Sequence, residues 1–286
     1  MTLSVPSQNR SARIPILLLA LLGAGSAAAQ SGLTIADPPP PATELPPLAS
    51  YAATYDLALV KAAQIEGVRA ASGTLSYTLI DRCDGYTIES ETDISLAFSN
   101  GVANQVVKRF AGWESKDGRR ATFRMKIYEN GELEDAYTGQ VELEADGSGR
   151  AVYIGAETTS FDLPPGTVLS TTQLRELIRA GQTGTALVAQ TVMDGAFEEG
   201  PYRVTGYVAP ARGASVPAAA APPLLAGPYW PVTLAYFPMD EPGEVPEYEI
   251  GFHLLANGVI RTMTQDYGSY SLALDLTRIA PREGGC

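Results

Sequence analysis

Histidine occurs once in these 286 residues, at His253, and cysteine twice, at Cys83 and Cys286. That scarcity closes off several chemistries. A Ser-His-Asp triad would have to recruit His253, yet it sits in Ile250-Gly251-Phe252-His253-Leu254-Leu255 with apolar neighbours on both sides. No G-x-S-x-G elbow accompanies it, so it reads as a satisfied strand histidine. One histidine and two mutually paired cysteines make no His/Cys zinc site, and H-E-x-x-H is missing. Neither G-x-x-x-x-G-K-[ST] nor G-x-G-x-x-G occurs, which leaves nucleotides without a cradle. Glu241, Glu244, Glu247 and Glu249 fall among prolines rather than in a D-x-D-x-D-G loop and read as a solvated turn. These absences predict a chain without catalytic residues, metal or cofactor. Positive charge is also short: 20 Lys and Arg face 32 Asp and Glu, a formal net charge of −12. Such a surface repels nucleic acid and anionic headgroups.

The first 29 residues follow the secretory plan. Arg10 and Arg13 form a positive n-region, Ile14 to Leu22 an apolar h-region, and Ala27-Ala28-Ala29 a small-residue cleavage site. Cleavage there moves the charge from −12 to −14, because two arginines leave and no acid does. No later segment is apolar over the roughly 18 residues that a membrane helix needs. The expected product is a soluble periplasmic protein starting at Gln30. In that oxidising compartment Cys83 and Cys286 are expected to pair. The bridge closes a loop on the order of 200 residues, worth up to about 5 kcal/mol in the chain-entropy model.

Residues 30–47, with Pro38 to Pro41 and Pro46-Pro47, read as a stiff polyproline linker, and 48–286 as one β domain. Tyr51 to Val60 and Ala71 to Ile80 read as strands. Tyr86 to Ile94 and Thr122 to Tyr128 alternate apolar and polar residues, as half-buried strands do. Asn130-Gly131 and Asn257-Gly258 are hairpin turns, the second joining Tyr248–Leu255 to Val259–Asp266. Ser269 to Ile279 is a last strand. The regular antiparallel spacing predicts one large curved sheet, a spiral or open barrel.

Two stretches break the rhythm. Phe161 to Ser170 is turn-rich and leads into a short helix capped by Thr171 or Thr172 and stopped by Gly181. Leu174, Leu177 and Ile178 share one helical face, expected to plug or cover an opening of the β structure. Residues 209–228, rich in Ala and Pro, read as a disordered excursion. Aromatic residues gather late in the chain. With Leu174, Leu177 and Ile178, Trp230 and Tyr236 are candidates for an apolar groove holding a lipid or a partner's side chains; core packing is the competing reading. Glu89/Glu91 and Glu132/Glu134 are the acids a glycosidase would need, but they alternate along strands, where water normally takes one in two.

The order of several short motifs resembles the cell-envelope integrity protein B family of alphaproteobacterial periplasmic proteins. They are Leu48-Ala49-Ser50-Tyr51-Ala52-Ala53-Thr54-Tyr55-Asp56-Leu57, Cys83-Asp84-Gly85-Tyr86-Thr87, Phe161-Asp162-Leu163-Pro164-Pro165-Gly166 with the helix behind it, and Tyr229 to Phe237. Tyr248-Glu249-Ile250 with Asn257-Gly258-Val259, and then Asp266-Tyr267-Gly268, complete the match. The resemblance implies a β-spiral with the helix near its opening and a disulfide at the positions of Cys83 and Cys286. It also implies support of envelope integrity and stress resistance without catalysis, and a link to a periplasmic protein with tetratricopeptide repeats. A second cysteine at the last residue and the longer 209–228 excursion depart from the pattern.

Overall fold

The computed structural model describes residues 44–62, 67–195, 200–213, 222–239 and 245–285. The expected signal peptide, most of the Pro-rich linker and Cys286 lie outside the described residues.

The first half of the chain makes eight strands in sequence order: β1 (Tyr51–Ala62), β2 (Val68–Asp81), β3 (Gly85–Phe98), β4 (Ala103–Ser115), β5 (Arg120–Glu129), β6 (Glu132–Leu143), β7 (Gly149–Ile154) and β8 (Thr158–Leu163). The short β9 (Thr167–Leu169) leads into helix α1 (Ser170–Thr183). Then follow β10 (Leu187–Met193), β11 (Tyr202–Val208), β12 (Tyr229–Pro238), β13 (Tyr248–Leu255), β14 (Ile260–Asp266) and β15 (Tyr270–Pro281). Alternation drives the pairing. In β5, Ala121, Phe123 and Met125 are buried while Arg124 and Lys126 face water. Asn130 and Gly131, with φ of 51° and 85°, turn β5 into β6 with the left-handed backbone that an Asn-Gly hairpin supplies.

All fifteen strands belong to one sheet, ordered β8-β7-β6-β5-β4-β3-β2-β1-β15-β14-β13-β12-β11-β10-β9. The first and last strands are neighbours, with Leu57 opposite Leu274 and Tyr51 opposite Pro281. The sheet therefore nearly closes into a barrel, with an unsealed seam between β8 and β9. Every pairing is antiparallel except β9 with β10, whose parallel register (Val168 opposite Val192) requires a crossover. That crossover is α1.

Antiparallel order puts the β2–β3, β4–β5, β6–β7, β11–β12 and β13–β14 connections at one end of the barrel, and α1 packs there. It touches Glu114 at the end of β4, and Leu174 lies against the β13–β14 turn at Gly258. Two apolar clusters fill the interior. The larger joins α1 to β1–β3 and β10–β15, and the smaller lies between β5 to β8, Leu169 and Met193.

Four local expectations need correction. Phe161 to Ser170 is not only turn: Leu163 and Leu169 are buried in β8 and β9, on either side of Pro164-Pro165-Gly166. Neither Thr171 nor Thr172 caps α1. The N-cap position is Leu169, without a side-chain cap, and the capping acceptor arrives from β4. Gly181 does not stop the helix; it lies within the last turn, and Gly184, in the left-handed conformation, is the C-cap. The 209–228 excursion is also partly ordered. Arg212 bridges Tyr229, Pro223–Leu225 forms a 3-10 turn, and Leu224 accepts a hydrogen bond from Asn257; residues 214–221 lie outside the described residues.

Candidate functional site: the cavity beneath the helical plug

The apolar face of α1 looks into the barrel over a cavity of about 180 Å³. Its walls come from both halves of the sheet, with Tyr77 and Ile88 on one side and Leu234, Tyr236, Ile250 and Phe252 on the other. Leu174 and Leu177 form the ceiling, beside Thr171 and Gln173. No acid or base lines it. Ligand pockets usually run to roughly 300–1,000 Å³, whereas dry cavities of about 150 Å³ take up benzene or xenon. The space fits a small apolar group, not a whole acyl chain.

Of the candidate groove residues, Leu174, Leu177 and Tyr236 line the cavity. Ile178 is fully buried without lining it, and Trp230 packs on the helix instead. A Cβ added at Gly181 would lie 2.5 Å from the Trp230 ring, so only glycine allows the helix so close to the indole. Tyr236 stacks on Tyr248 with ring centroids 4.4 Å apart, and Tyr202 meets both rings edge-on. Burial raises the Tyr236 and Tyr248 pKa values, so both phenols stay neutral.

The plug is held by two polar anchors that sequence reasoning missed. Glu114 is buried and accepts hydrogen bonds from the Thr171 backbone N–H (2.8 Å) and hydroxyl (2.5 Å). A carboxylate at a helix N-terminus satisfies orphan donors and meets the positive end of the macrodipole. Desolvation raises its pKa; the Thr171 and Ser170 hydrogen bonds oppose this, and the negative charge of Asp194 adds to it. On the next turn Arg175, also buried, donates to the Pro46 and Leu45 carbonyls at 2.9 Å, tying the segment before β1 to the helix. Its guanidinium also lies 5.9 Å from the centre of the Tyr86 ring, which Lys116 covers at 3.9 Å. Glu114 could have been found once β4 was recognised. Counting by twos from Phe110 through Gly112 puts it on the inner face, opposite Tyr86.

Lys116 bonds Asp81 at 2.5 Å, and the Asp81 carbonyl accepts from the Gly285 N–H at 2.7 Å. Arg282 N–H donates to the Ser50 carbonyl, so the C-terminal tail runs along the start of β1 and the end of β2, near the exposed Cys83. His253 is half-buried and stacks on Tyr229 at 4.2 Å. Desolvation, and then Arg261 and Arg212, lower its pKa. Glu89 and Glu91 face outward on β3, where Glu91 pairs with Arg109 at 2.6 Å. Glu132 and Glu134 are exposed at the start of β6, away from the cavity.

A nearly closed β wall with a helical plug defines a β-barrel-like protein. The chain belongs to the EipB-like family, whose model matches residues 42–282. It is 28% identical over 249 residues to the cell envelope integrity protein EipB of Brucella abortus (strain 2308), covering 84% of this chain and 88% of that protein. Among solved structures it is similar to a β-barrel-like protein of the domain of unknown function DUF1849 from Brucella abortus. There the TM-score is 0.76 at 26% identity, over 83% of this chain and 100% of the other. The names of the family and of this relative refer to envelope integrity and not to a catalysed reaction.

Proposed function

We propose that this protein supports the integrity of the cell envelope and its resistance to stress from the periplasm, by binding another protein rather than by catalysis. The alignment with EipB along most of both chains carries the reading. Three further observations support it. The first 29 residues have the secretory pattern, the cavity lining holds no acid or base, and the Glu89/Glu91 and Glu132/Glu134 pairs lie away from it. The partner is another periplasmic envelope protein, and tetratricopeptide repeats are the candidate class. Cys83 and Cys286 are proposed as a disulfide. The Gly285–Asp81 hydrogen bond beside Cys83 supports that pairing, as does the lack of a free cysteine among the described residues.

A second reading, a carrier of lipid or lipoprotein acyl chains, rests on the apolar lining of the cavity. At about 180 Å³ it requires α1 to move before a full chain enters. Cells lacking the gene test the main reading. They should become sensitive to detergent, and the exported protein should restore growth; no sensitivity, or no rescue, overturns it. A lipid-sized adduct in native mass spectrometry of periplasmic protein would favour the carrier.

A further inference from the structure

Six of the eight large apolar side chains exposed among the described residues sit at the end of the barrel away from α1: Val60, Val102, Leu133, Ile154, Met239 and Val245. The other two, Leu187 and Tyr207, are a cross-strand pair at the plugged end. The first four follow one another around the rim, on the β1–β2, β3–β4, β5–β6 and β7–β8 hairpins. Backbone bonds tie these hairpins together: Ser99 N–H donates to the Gly67 carbonyl at 2.7 Å, and Asn130 N–H to the Gln105 carbonyl at 2.8 Å. Ile154 pairs with Thr138 on the neighbouring β6. Scattered surface hydrophobics need no explanation, but a run along one rim does.

Basic charge on this rim is confined to Lys61 and Arg69 of the β1–β2 hairpin, beside Val60. From 98 to 104, 128 to 135 and 153 to 159 the three hairpins beyond β1–β2 carry no Lys or Arg. Glu132, Glu134 and Glu157 are exposed there beside Leu133 and Ile154. We propose that this apolar-tipped, acidic rim is a docking surface for a second protein whose apolar patch is bordered by Lys and Arg. The proposal rests on the protein-binding reading above and gives it a location and a partner chemistry. Apolar tips desolvate at the centre of such a contact while the carboxylates steer a basic partner. An anionic bilayer would be repelled by the same charges.

The test uses the full oxidised protein and three probes: a synthetic amphipathic helix of Leu and Lys, its Leu/Glu counterpart, and vesicles of phosphatidylcholine and phosphatidylglycerol. The Leu/Lys helix should bind, and the other two should not. The V102S/L133S/I154S variant, with an unchanged melting curve, should bind about tenfold more weakly or worse, a difference of about 1.4 kcal/mol. The E132K/E134K/E157K variant should lose the Leu/Lys helix and gain the Leu/Glu helix. Equal binding by the serine variant, no binding of the Leu/Lys helix, or preference for vesicles overturns the proposal. In cells lacking the gene, rescue by wild type together with loss of rescue by the serine variant supports it. Full rescue by the serine variant overturns the rim alone, whereas failure of wild type to rescue removes the envelope reading instead.

Discussion

Replacing Glu114 by Ala tests how the plug is held. The substitution leaves the Thr171 N–H and hydroxyl without their acceptor, and a buried unsatisfied donor costs about 1–3 kcal/mol. Two effects reduce the sum. Thr171 borders the cavity, so water can reach its donors, and a desolvated charge disappears. A net loss of about 2–3 kcal/mol follows, which for a domain of this size lowers Tm by roughly 4–12 °C. Glu114→Gln keeps a neutral acceptor for Thr171 and should stay within about 1 kcal/mol of wild type near pH 7. The two variants also separate in their pH dependence. Because the folded-state pKa is raised, the folded protein takes up a proton that the unfolded chain, at the ordinary carboxylate value, does not. Wild type therefore gains stability relative to Glu114→Gln as pH falls through the raised value. The gain is complete below the ordinary value and absent above the raised one. Thermal unfolding followed by near-UV circular dichroism, from pH 7 down to the carboxylate range, reads both effects. A Tm for Glu114→Ala within a degree or two of wild type would refute the anchor. A wild-type-to-Gln difference that does not change with pH would refute the buried charge.

Three further changes probe the plug and its surroundings. Gly181→Ala sets a helix-propensity gain of about 1 kcal/mol against overpacking of about 1–3 kcal/mol at the Trp230 ring. It should destabilise and shift the tryptophan emission; a rise in Tm would show that the helix and indole have slack. Arg175→Ala frees the Leu45 and Pro46 carbonyls, so protease should cut ahead of Tyr51 faster than in wild type; an unchanged cleavage pattern would show that this segment is held by other contacts. Cys83→Ser should lower Tm under oxidising conditions, by at most about 5 kcal/mol of stability, and should leave the reduced protein unaffected. Equal Tm values with and without reductant would remove the disulfide.

The strands were legible where one face is wet and a hairpin turn follows. Thr122 to Tyr128 with Asn130-Gly131 is such a case, and the alternation there is the burial pattern of β5. Legibility failed where both faces lose contrast. In β4, Val106-Val107 and Ala111-Gly112 blur the period of two, so the strand itself went unread and with it the inner position of Glu114. β9 is three residues long, too short to show any period, and its parallel partner β10 is separated from it by the helix. The apolar face of α1 was readable from Leu174, Leu177 and Ile178 at helical spacing. Its cap was not, because the acceptor lies 57 residues away on β4. Gly181 misled for a related reason: a glycine that ends helices elsewhere is required here by an indole on β12.

Those long-range anchors explain why the plug belongs to the fold and not to a loop that happens to cover it. α1 provides the crossover between β9 and β10, the only parallel pair among the described residues, so displacing it strains the strands beside the seam. Its first turn is fixed to β4, its second to the segment before β1, and its last to Trp230 on β12. Admission of a full acyl chain would have to break the first two attachments while the sheet stayed closed at β1–β15. Docking at the far rim breaks none of them. On energetic grounds the rim can therefore engage a partner with the barrel unchanged, whereas carriage needs an opening step, which Glu114→Ala should make easier. Faster uptake of an apolar dye by that variant than by wild type would reveal such a step. Equal exclusion of the dye by both proteins would leave the closed barrel as the acting form.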